Sequence, residues 1–361
     1  MNFRPMKPPF RTAIVGNIQA LNVLLPAFRA VPEFQVTTLA GRNGEVLRAA
    51  AAKAGGLRVV PGWEVLVRDA DIEVVVLALP PFLQSPAAAE LAAAGKALFC
   101  EKPLAADLAG AQVLVAAVTA SGRPAAVNFG FRMIEAFRDF EAIVRSGILG
   151  APQFGMVEWL IATRRDPTMS WNWKSDATQG GGTLNMMTSH VLDYLGWFFE
   201  DIQALRLQTA AIVPSRPDAL FGGLKPVAAD DSSNLLLTLT GHLPVSVTVS
   251  TAVSFAQGHR LRFWFEQGLV ELANSASDDF HDGFKLTFHP ARNARPGLAH
   301  EVRELAALSQ LAPCFPGRIN INRRVAAEFA LALAGRRNHL PTVAGGLRVQ
   351  EWLERARQCP A

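Results

Sequence analysis

Residues 73–104 contain two short apolar runs on either side of a helical pattern. The run Glu73–Leu79 is typical of a buried strand, Pro80-Pro81 ends it, and the Ala- and Leu-rich segment Ser85–Gly95 predicts a helix. A second apolar run, Ala97–Cys100, leads directly into Glu101-Lys102-Pro103. Two strands around one helix form a βαβ unit with parallel strands. The motif therefore leaves a strand at the carboxyl edge of the sheet, where open α/β folds bind ligands.

The position of Lys102 favours a functional role over a plain surface one. A Lys at the carboxyl end of a parallel strand is a hydrogen-bond donor or an acid directed into a crevice, and Pro103 restricts the backbone after it. A solvated Glu-Lys pair before a helix is the ordinary alternative for such a dipeptide. The strand end makes the functional interpretation the better one.

The periodicity of the sequence changes near Asn128. Before it, short apolar runs alternate with Ala-rich helical stretches, which predicts a parallel sheet with helices on both faces. After it, successive strands of alternating polarity have few helices between them, which predicts a mainly antiparallel sheet. We therefore predict an α/β protein with a Rossmann-like, doubly wound parallel sheet in residues 1–127 and an α+β domain with a large open sheet in residues 128–361.

The sequence pattern predicts individual strands and helices in both domains. In the first domain the strands are Ala13–Val15, Phe34–Leu39, Val74–Leu77, Ala97–Phe99 and Pro124–Val127, and the helices are roughly Ile18–Val31, Gly44–Ala54, Ser85–Ala94 and Asp107–Ser121. In the second, the strands are Phe154–Ile161, Leu205–Ala210, Ser233–Leu239, Val245–Ser250, Leu261–Phe265, Leu269–Leu272 and Lys285–Phe288, and the helices include Ile134–Ser146, Leu184–Phe199, Arg324–Ala334 and Gly346–Gln358.

Composition excludes several classes of function. Half of the 361 residues are hydrophobic and 18% are charged, which excludes disorder, and the formal charge of +4 is spread over scattered arginines. A nucleic-acid surface needs a basic patch, so no nucleic-acid partner is expected. No apolar stretch has transmembrane length or follows a signal-peptide pattern, so no membrane partner is expected. Three widely spaced cysteines predict neither a metal site nor disulfides, and a cytoplasmic location is expected.

The first strand-to-helix turn departs from the dinucleotide-binding pattern. That pattern is G-x-G-x-x-G/A, in which the second glycine lets the backbone approach the pyrophosphate. Here Gly16-Asn17-Ile18 opens the turn, and Ile18 and Leu21 stand in place of the second and third glycines. The helix start can still offer N–H groups to an anion, but Ile18 should push the pyrophosphate outward or make the loop adapt. The alternative is a Rossmann-like domain with weakened or lost cofactor binding.

The end of the second strand bears on the choice of cofactor. Domains that prefer NAD place a carboxylate near this strand end to bind the ribose hydroxyls. The segment Gly41-Arg42-Asn43 has none, and the guanidinium of Arg42 could pair with a 2′-phosphate. We therefore expect NADP rather than NAD, if a nicotinamide cofactor binds. A solvated surface arginine is the competing interpretation.

Several motifs occur in an order that resembles a known family. Leu79–Gln84, Ala94–Lys96 and Cys100–Leu104 resemble the glucose–fructose oxidoreductase / inositol dehydrogenase (Gfo/Idh/MocA) family. The similarity continues with Asn128–Arg132, Ser146–Gly150, Gly180–Leu184, Ser189-His190, Asp193 and Gly345–Glu351, and it covers nearly the whole chain. Each motif alone is weakly specific, but the ordered set is specific. The resemblance also implies that the C-terminal helix packs back on the first domain.

The resemblance implies roles for residues of the first domain. Pro80-Pro81 should face the nicotinamide side of the crevice, with Glu101 and Lys102 beside it. Lys102 should also hydrogen-bond the substrate oxygen that gains or loses a proton. Asn128 follows a strand at its carboxyl end, and we include it in the predicted cofactor site. Together with the turn and Arg42, the predicted cofactor residues are Gly16, Asn17, Ile18, Arg42, Leu79, Pro80, Glu101, Lys102 and Asn128.

The resemblance also implies a catalytic histidine in the second domain. His190 should be the acid/base partner of Lys102. The more common family form has an Asp four residues before this His, but here the residue is Met186, which puts polyol oxidation of the inositol type in question. Arg132, Trp173, Lys174 and Asp193 are the predicted substrate residues. Arg132 could instead pair with Glu135 at helical spacing, and the Trp residues could be ordinary core.

Two functional hypotheses follow. The first is an NADP-linked oxidoreductase that acts on a hydroxyl or carbonyl of a sugar, polyol or similar small molecule, with Lys102 and His190 handling the proton. The second is a non-catalytic relative that acts as a binding or partner subunit. A homodimer or homotetramer through the second-domain sheet is also expected. Its basis is two apolar sets with a period of two, Val245, Val247, Val249 and Val253 and then Leu261, Phe263 and Phe265, which should leave a patch if they face outward.

Overall fold

The computed structural model describes residues 5–275, 281, 283–306 and 317–360, which form two compact units. Unit 1 comprises Met1–Gly130 and Arg318–Gln350, and unit 2 comprises Phe131–Gly317 and Glu351–Ala361. In the described residues the strands are β1 Phe10–Gly16, β2 Phe34–Ala40, β3 Arg58–Val60, β4 Val74–Ala78, β5 Ala97–Cys100, β6 Ala125–Val127, β7 Pro152–Leu160, β8 Ile202–Ala210, β9 Ser215–Pro217, β10 Leu224–Pro226, β11 Ser232–Leu239, β12 Leu243–Ser250, β13 Gly258–Phe265, β14 Gly268–Asn274 and β15 Lys285–Pro290. The helices are α1 Leu25–Arg29, α2 Gly44–Lys53, α3 Glu64–Val67, α4 Pro81–Ala93, α5 Leu108–Ser121, α6 Glu135–Ser146, α7 Ser189–Phe199, α8 Leu298–Ala306, α9 Gly317–Leu333 and α10 Val343–Gln358.

Unit 1 is built on a parallel sheet in the order β3-β2-β1-β4-β5-β6. Its central strands are apolar throughout because helices cover both faces, and Val74–Leu77 and Ala97–Cys100 are fully buried. The predicted doubly wound parallel sheet is confirmed. Strand β3 was not predicted, because it has only three residues and begins with the exposed Arg58.

Two helices of unit 1 begin differently from their prediction. Helix α4 starts at Pro81, four residues before the predicted Ser85, because proline is accepted in the first helical turn. The helix after β1 begins at Ile18, continues through a π turn at Ala20–Leu24 and ends as α1. A π turn inside a helix is uncommon and is frequent at functional sites.

Unit 2 is built on a larger sheet in the order β15-β14-β13-β7-β12-β11-β8. Only the β7–β12 pair is parallel, so the predicted, mainly antiparallel second sheet is confirmed. Helices α6 and α7 cover one face through aromatic contacts, including Phe140 and Phe199 against Phe263, with ring centroids 5.2 and 4.9 Å apart. A separate two-stranded hairpin is formed by β9 and β10.

The prediction that the apolar sets of β12 and β13 form an exposed patch is wrong. Val245, Val247, Val249, Leu261, Phe263 and Phe265 are each at most 4% exposed, because they point to the face that the helices cover. Val253 lies beyond the end of β12 and is half-buried. Since side chains alternate along a strand, the other face carries the intervening residues instead. It combines the ring contact between Phe154 and Trp264 (centroids 5.6 Å apart, planes tilted by 55°) and the exposed Leu236 with an ion pair between Arg262 and Glu158.

Among the described residues, no helix has both the length and the apolar composition required to cross a bilayer. Cys100 and Cys359 are free thiols, and burial raises the pKa of Cys100 to about 12. Cys314 lies outside the described residues. No group of three or more His, Cys, Asp or Glu side chains that could hold a metal ion occurs in the described part of the chain.

Candidate active site

The turn after β1 requires glycine at its first position. Gly16 has φ +132°, and a Cβ there would lie 2.5 Å from the carbonyl oxygen of Ala78 in β4. The helix begins two residues later, and the N–H of Leu21 donates to the carbonyl of Asn17 (2.8 Å). Asn17 is exposed, and the side chain of Ile18 is 79% exposed in the first helical turn. The three residues therefore form a short turn that leads directly into a helix start.

Arg42 lies beside this turn. Gly41, at the end of β2, is close enough to the turn that an added Cβ would lie 3.5 Å from the Gly16 carbonyl oxygen. The next residue, Arg42, is exposed, and the Asn43 side chain caps α2 by accepting from the N–H of Val46. The structure thus brings Gly16, Asn17 and Arg42 together at the carboxyl edge of the sheet.

Glu101 is the centre of a hydrogen-bonded group at the ends of β5 and β6. Its Oε1 accepts from the side-chain amides of Gln19 (3.0 Å) and Asn128 (2.8 Å), and its Oε2 accepts from the main-chain N–H of Lys102 (3.2 Å). The other N–H of the Asn128 amide donates to Oδ1 of Asn322 in α9 (2.6 Å). Glu101, Asn128 and Asn322 are each at most 9% exposed.

A buried glutamine fixes the main chain of the same motif. Gln84, in α4, is fully buried and its Nε2 donates to the carbonyls of Glu101, Pro103 and Leu104 (2.5, 3.2 and 3.3 Å). Pro80 precedes this helix, and its carbonyl accepts from the N–H of Gln84 (2.9 Å). Leu79, Pro80 and Lys102 are half-buried. Gln84 was not predicted as a site residue, although it closes the Leu79–Gln84 motif.

In unit 2 the triple glycine forms a turn in which Gly181 and Gly182 have no room for a Cβ atom. A Cβ on Gly181 would lie 2.6 Å from the carbonyl oxygens of Trp173 and Lys174, and one on Gly182 (φ +96°) would lie 2.3 Å from Oδ1 of Asp230. Trp173 and Lys174 are half-buried, and the Lys174 ammonium lies 5.9 Å from the centroid of the Trp173 ring. The predicted substrate residues Trp173 and Lys174 therefore lie against this turn.

Asp230 holds the start of the helical segment that carries His190. Its main-chain carbonyl accepts from Thr183, and its Oδ2 accepts from the N–H of Leu184 (2.8 Å). The segment continues as a π turn, Leu184–Thr188, which contains Met186, and then as α7. Burial raises the pKa of Asp230 to about 6, although the Leu184 N–H lowers it. Asp230 was not predicted as a site residue, because nothing in the sequence except its position just before β11 distinguishes it from other aspartates.

His190 packs among aromatic rings. It is 6% exposed, and its ring centroid lies 5.0 Å from that of Phe131, edge to face. Trp159, next to it, stacks in parallel on His259, with centroids 4.3 Å apart, and Nε2 of His259 is 3.0 Å from the hydroxyl of Tyr194. Burial lowers the pKa of His259 well below its usual value and raises that of Tyr194. His259 is a second buried histidine that the sequence analysis missed.

Arg132 and Asp193, both predicted to contact substrate, bind each other. Nε and Nη2 of Arg132 donate to Oδ2 and Oδ1 of Asp193 (2.9 and 2.6 Å). Burial raises the pKa of Asp193, although Arg132 acts to lower it. Burial acts to lower the pKa of Arg132, but the charge and hydrogen bonds of Asp193, together with the Glu141 charge, raise it overall. The Arg132 guanidinium also lies over the ring of Trp197 (5.7 Å). Asp193 follows His190 by three residues, so the pair anchors the helix that presents the histidine.

Comparison with known proteins assigns both units. Residues 10–129 match the oxidoreductase family with an NAD-binding Rossmann fold, and residues 137–271 match the GFO/IDH/MocA C-terminal domain. An uncharacterized oxidoreductase of Synechocystis is 27% identical over 359 residues, which cover 97% of this chain and 94% of that protein. The levoglucosan dehydrogenase of Pseudarthrobacter phenanthrenivorans is 26% identical over 238 residues, 63% of this chain and 61% of that protein.

A solved structure shares the fold over nearly the whole length. It is a levoglucosan dehydrogenase in complex with NADH and L-sorbose, with a TM-score of 0.82 and 21% identity over 98% of this chain and 96% of that one. The parallel sheet, the open antiparallel sheet, the Glu101-Lys102-Pro103 motif and the two matched domains lead to one assignment. The chain belongs to the Gfo/Idh/MocA family of oxidoreductases.

Proposed function

We propose that the chain is an NADP-linked oxidoreductase that transfers a hydride between the nicotinamide and a hydroxyl or carbonyl carbon of a sugar, polyol or related small molecule. The observation that carries the proposal is the organised carboxyl edge of unit 1, where Glu101 ties the first helix, Lys102 and Asn128 into one group. The same hydrogen bonds that satisfy the buried Glu101 carboxylate also hold the first helical turn and the main chain of Lys102, the two parts that would face a dinucleotide.

The residues of unit 1 fit a dinucleotide. Gly16 removes the Cβ that would block the turn, and the helix beginning at Ile18 offers its first N–H groups to a pyrophosphate. Because the Ile18 side chain is 79% exposed in that first turn, a pyrophosphate would contact it as well as the main-chain N–H groups. Arg42 would bind the 2′-phosphate of NADP, and Leu79 and Pro80 would contact the nicotinamide. The bound cofactor supplies or accepts the hydride.

The protein's own groups would manage the proton. When a hydroxyl is oxidised, its carbon loses a hydride and its oxygen loses a proton, and Lys102 and His190 are the proposed acceptors of that proton. In reduction the same groups return it. Trp173 and Lys174 would contact the sugar, since an aromatic face and an ammonium suit a polyhydroxylated ring. Sugar chemistry is supported by the relatives named levoglucosan dehydrogenase.

Arg132 and Asp193 have a different proposed role from direct substrate binding. Arg132 donates two hydrogen bonds to Asp193, and Asp193 accepts them with both of its carboxylate oxygens. The proposed contribution of the pair is therefore to fix α7 and, with it, the His190 ring. The domain roles follow from these assignments: residues 1–127 bind the cofactor and residues 128–361 supply substrate contacts and assembly, except for Arg318–Gln350, which belong to unit 1. The cytoplasmic location expected from the widely spaced cysteines is part of the same proposal.

Binding and turnover test the proposal separately. Titration with NADPH and with NADH, followed by nicotinamide fluorescence, should give saturable binding with NADPH tighter. Arg42→Ala should weaken NADPH by about tenfold or more and leave NADH unchanged, because only NADPH carries the 2′-phosphate. Arg68→Ala, an exposed arginine of the same unit, is the matched control. Absence of a fluorescence change with either cofactor at millimolar concentration contradicts the proposal.

The catalytic pair is tested on a panel of sugars and polyols. Lys102→Ala and His190→Ala should each lower kcat/KM by about 10²–10⁴-fold, the usual contribution of a positioned acid or base. Lys53→Ala and His300→Ala, at exposed positions, should leave it unchanged. Binding of cofactor without turnover of any panel member would favour the second candidate, a non-catalytic binding or partner subunit, which Ile18 and Met186 support.

Assembly through the open face of the unit 2 sheet is also proposed, although on residues other than the apolar sets first considered. Phe154 and Leu236 are 40% and 66% exposed, and the tilted Phe154–Trp264 ring pair lies beside the Arg262–Glu158 ion pair. An apolar centre with charged residues around it is typical of an interface. Light scattering at micromolar concentration should give a dimer or tetramer mass, and Trp264→Glu should reduce it.

A further inference from the structure

Asn322 joins the cofactor half of the site from a distant part of the sequence. It lies in α9, 194 residues after Asn128, and is 6% exposed. Its Nδ2 donates to the carbonyl of Arg318 one turn earlier (2.7 Å), which directs its Oδ1 toward the Asn128 amide (2.6 Å). The orientation of the Asn322 amide is thereby fixed by its own helix. None of the proposed steps of the reaction uses this residue.

The hydrogen bonds among Glu101, Asn128 and Asn322 allow the Glu101 side chain only one arrangement. Both hydrogens of the Asn128 amide are used, one by Glu101 and one by Asn322. Glu101 accepts a further bond from Gln19 on the same oxygen and one from the Lys102 main chain on the other. A rotation of any one side chain would break at least one bond in a buried setting, where an unsatisfied group is costly.

The hydrogen bond of Gln19 connects this group of side chains to the proposed cofactor site. Gln19 is in the first turn of the helix that starts at Ile18, and this helix start is the proposed pyrophosphate site. In the usual glycine-rich turn, the second and third glycines set the distance between strand, helix and phosphate. Here those glycines are replaced, and a side-chain bond from Gln19 to Glu101 ties the helix start to the end of β5 instead.

We propose that Asn322 is a positioning residue for the dinucleotide. Through Asn128 it fixes Glu101, and Glu101 fixes both the first helical turn, through Gln19, and the main chain of Lys102. Asn322 does not touch cofactor or substrate and acts only through its side-chain oxygen. The inference rests on the proposed function, because it assigns Asn322 to the binding of the same cofactor.

Three substitutions at one position separate the oxygen from the volume it fills. Asn322→Ala removes both, Asn322→Leu keeps the volume without the acceptor, and Asn322→Asp keeps the acceptor. The dissociation constant for NADPH should rise about tenfold for the Ala and Leu variants, as expected when a buried N–H of Asn128 loses its partner. It should rise less for the Asp variant than for the Leu variant, because Asp keeps the acceptor although it loses the donor to the Arg318 carbonyl. Asn338→Ala, in the turn after α9, is the control and should bind as wild type does.

A second measurement tests the coupling. Gln19→Ala should weaken NADPH binding, and its combination with Asn322→Ala should weaken it by less than the product of the two single effects, since both act through Glu101. Gln19 is half-buried, so this variant carries the test if the Asn322 variants do not fold. In that case Gln19→Ala that binds NADPH as wild type does overturns the proposal.

The outcomes distinguish the two levels of the argument. If the wild type binds NADPH and the Leu variant binds equally well, Asn322 only fills space, and this inference is wrong while the proposed function stands. Multiplicative effects of Gln19→Ala and Asn322→Ala would also overturn it. If the wild type binds neither NADPH nor NADH, the proposed function fails and this inference fails with it.

Discussion

Each unit contains a buried carboxylate next to a predicted catalytic residue, but the two are held by different chemistry. Glu101, which precedes Lys102, is held by the neutral amides of Gln19 and Asn128 and by a main-chain N–H. Asp193, which follows His190 by three residues, is held by two bonds from the charged Arg132. Asp193 is the more buried of the two, at 2% exposed against 9% for Glu101.

The difference shows which substitutions each of the two carboxylates can tolerate. An ion pair taken out of water is stable only while both charges are present, so it fixes one geometry and fails if one partner is lost. A carboxylate held by amides depends on hydrogen bonds that a neutral acceptor can also make. The hydrogen bonds that hold Glu101 in its one arrangement can therefore persist without the Glu101 charge, as long as an acceptor oxygen remains. The ion pair of unit 2 needs both of its charges to hold α7, and with it His190.

The largest effect is expected when the ion pair is broken. Arg132→Met leaves the Asp193 charge buried without its partner and should lower the free energy of unfolding by about 3–5 kcal/mol in chemical denaturation. The double variant Arg132→Met/Asp193→Leu should recover much of this loss, because it removes the stranded charge as well. Arg145→Met breaks only the exposed pair with Glu141 and is the control. A loss no greater for Arg132→Met than for this control would contradict the comparison.

The architecture of both units could be predicted because it depends on local patterns. Apolar runs between Ala-rich helices specified the parallel sheet, and alternating polarity specified the second one. The same reasoning placed Lys102 at a strand's carboxyl end and His190 in a helix. These features follow from residues that are close in sequence, where the period of side chains decides the element.

Contacts between distant residues could not be predicted in this way. No local signal joins Asn322 to Asn128, or Gln19 to Glu101 across 82 residues. The period of two along β12 and β13 identified sets that share a face, but it did not say which face α6 and α7 cover, and the oligomer argument failed there. Arg132 illustrates the same limit, because its spacing suggested Glu135 and its bidentate partner is Asp193.

A smaller effect with a defined pH range is expected at Asp230, a half-buried carboxylate of unit 2. Its pKa is about 6 in the folded protein, above the usual 3.8, because burial disfavours the charge and neighbouring Asp231 adds to this, while the Leu184 N–H and Arg357 oppose it. The folded state therefore binds the proton more tightly than the unfolded state. The stability from this group is fully present below about pH 4 and is lost as the pH rises through 6, by about 2–3 kcal/mol.

Asp230→Asn tests this contribution. The Asn side chain keeps an oxygen for the Leu184 N–H but cannot ionise, so the variant should gain stability relative to wild type between pH 4 and pH 8. Denaturation curves at several pH values measure the difference. Asp218→Asn is the control, since Asp218 also accepts from main-chain N–H groups of unit 2 but at an exposed loop. Parallel curves for wild type and Asp230→Asn would show that the charge of Asp230 is not destabilising.

The smallest effect is expected at Glu101, and it decides whether the comparison holds. Glu101→Gln removes the charge but keeps Oε1 as the acceptor for Gln19 and Asn128, so the amide group that holds it can persist. The cost should be about 1 kcal/mol, near the net value of the one altered bond to the Lys102 N–H. Thermal and chemical unfolding of this variant beside Arg132→Met measure the contrast. If Glu101→Gln destabilises as strongly as Arg132→Met, then Glu101 depends on its charge as Asp193 does, and the comparison fails.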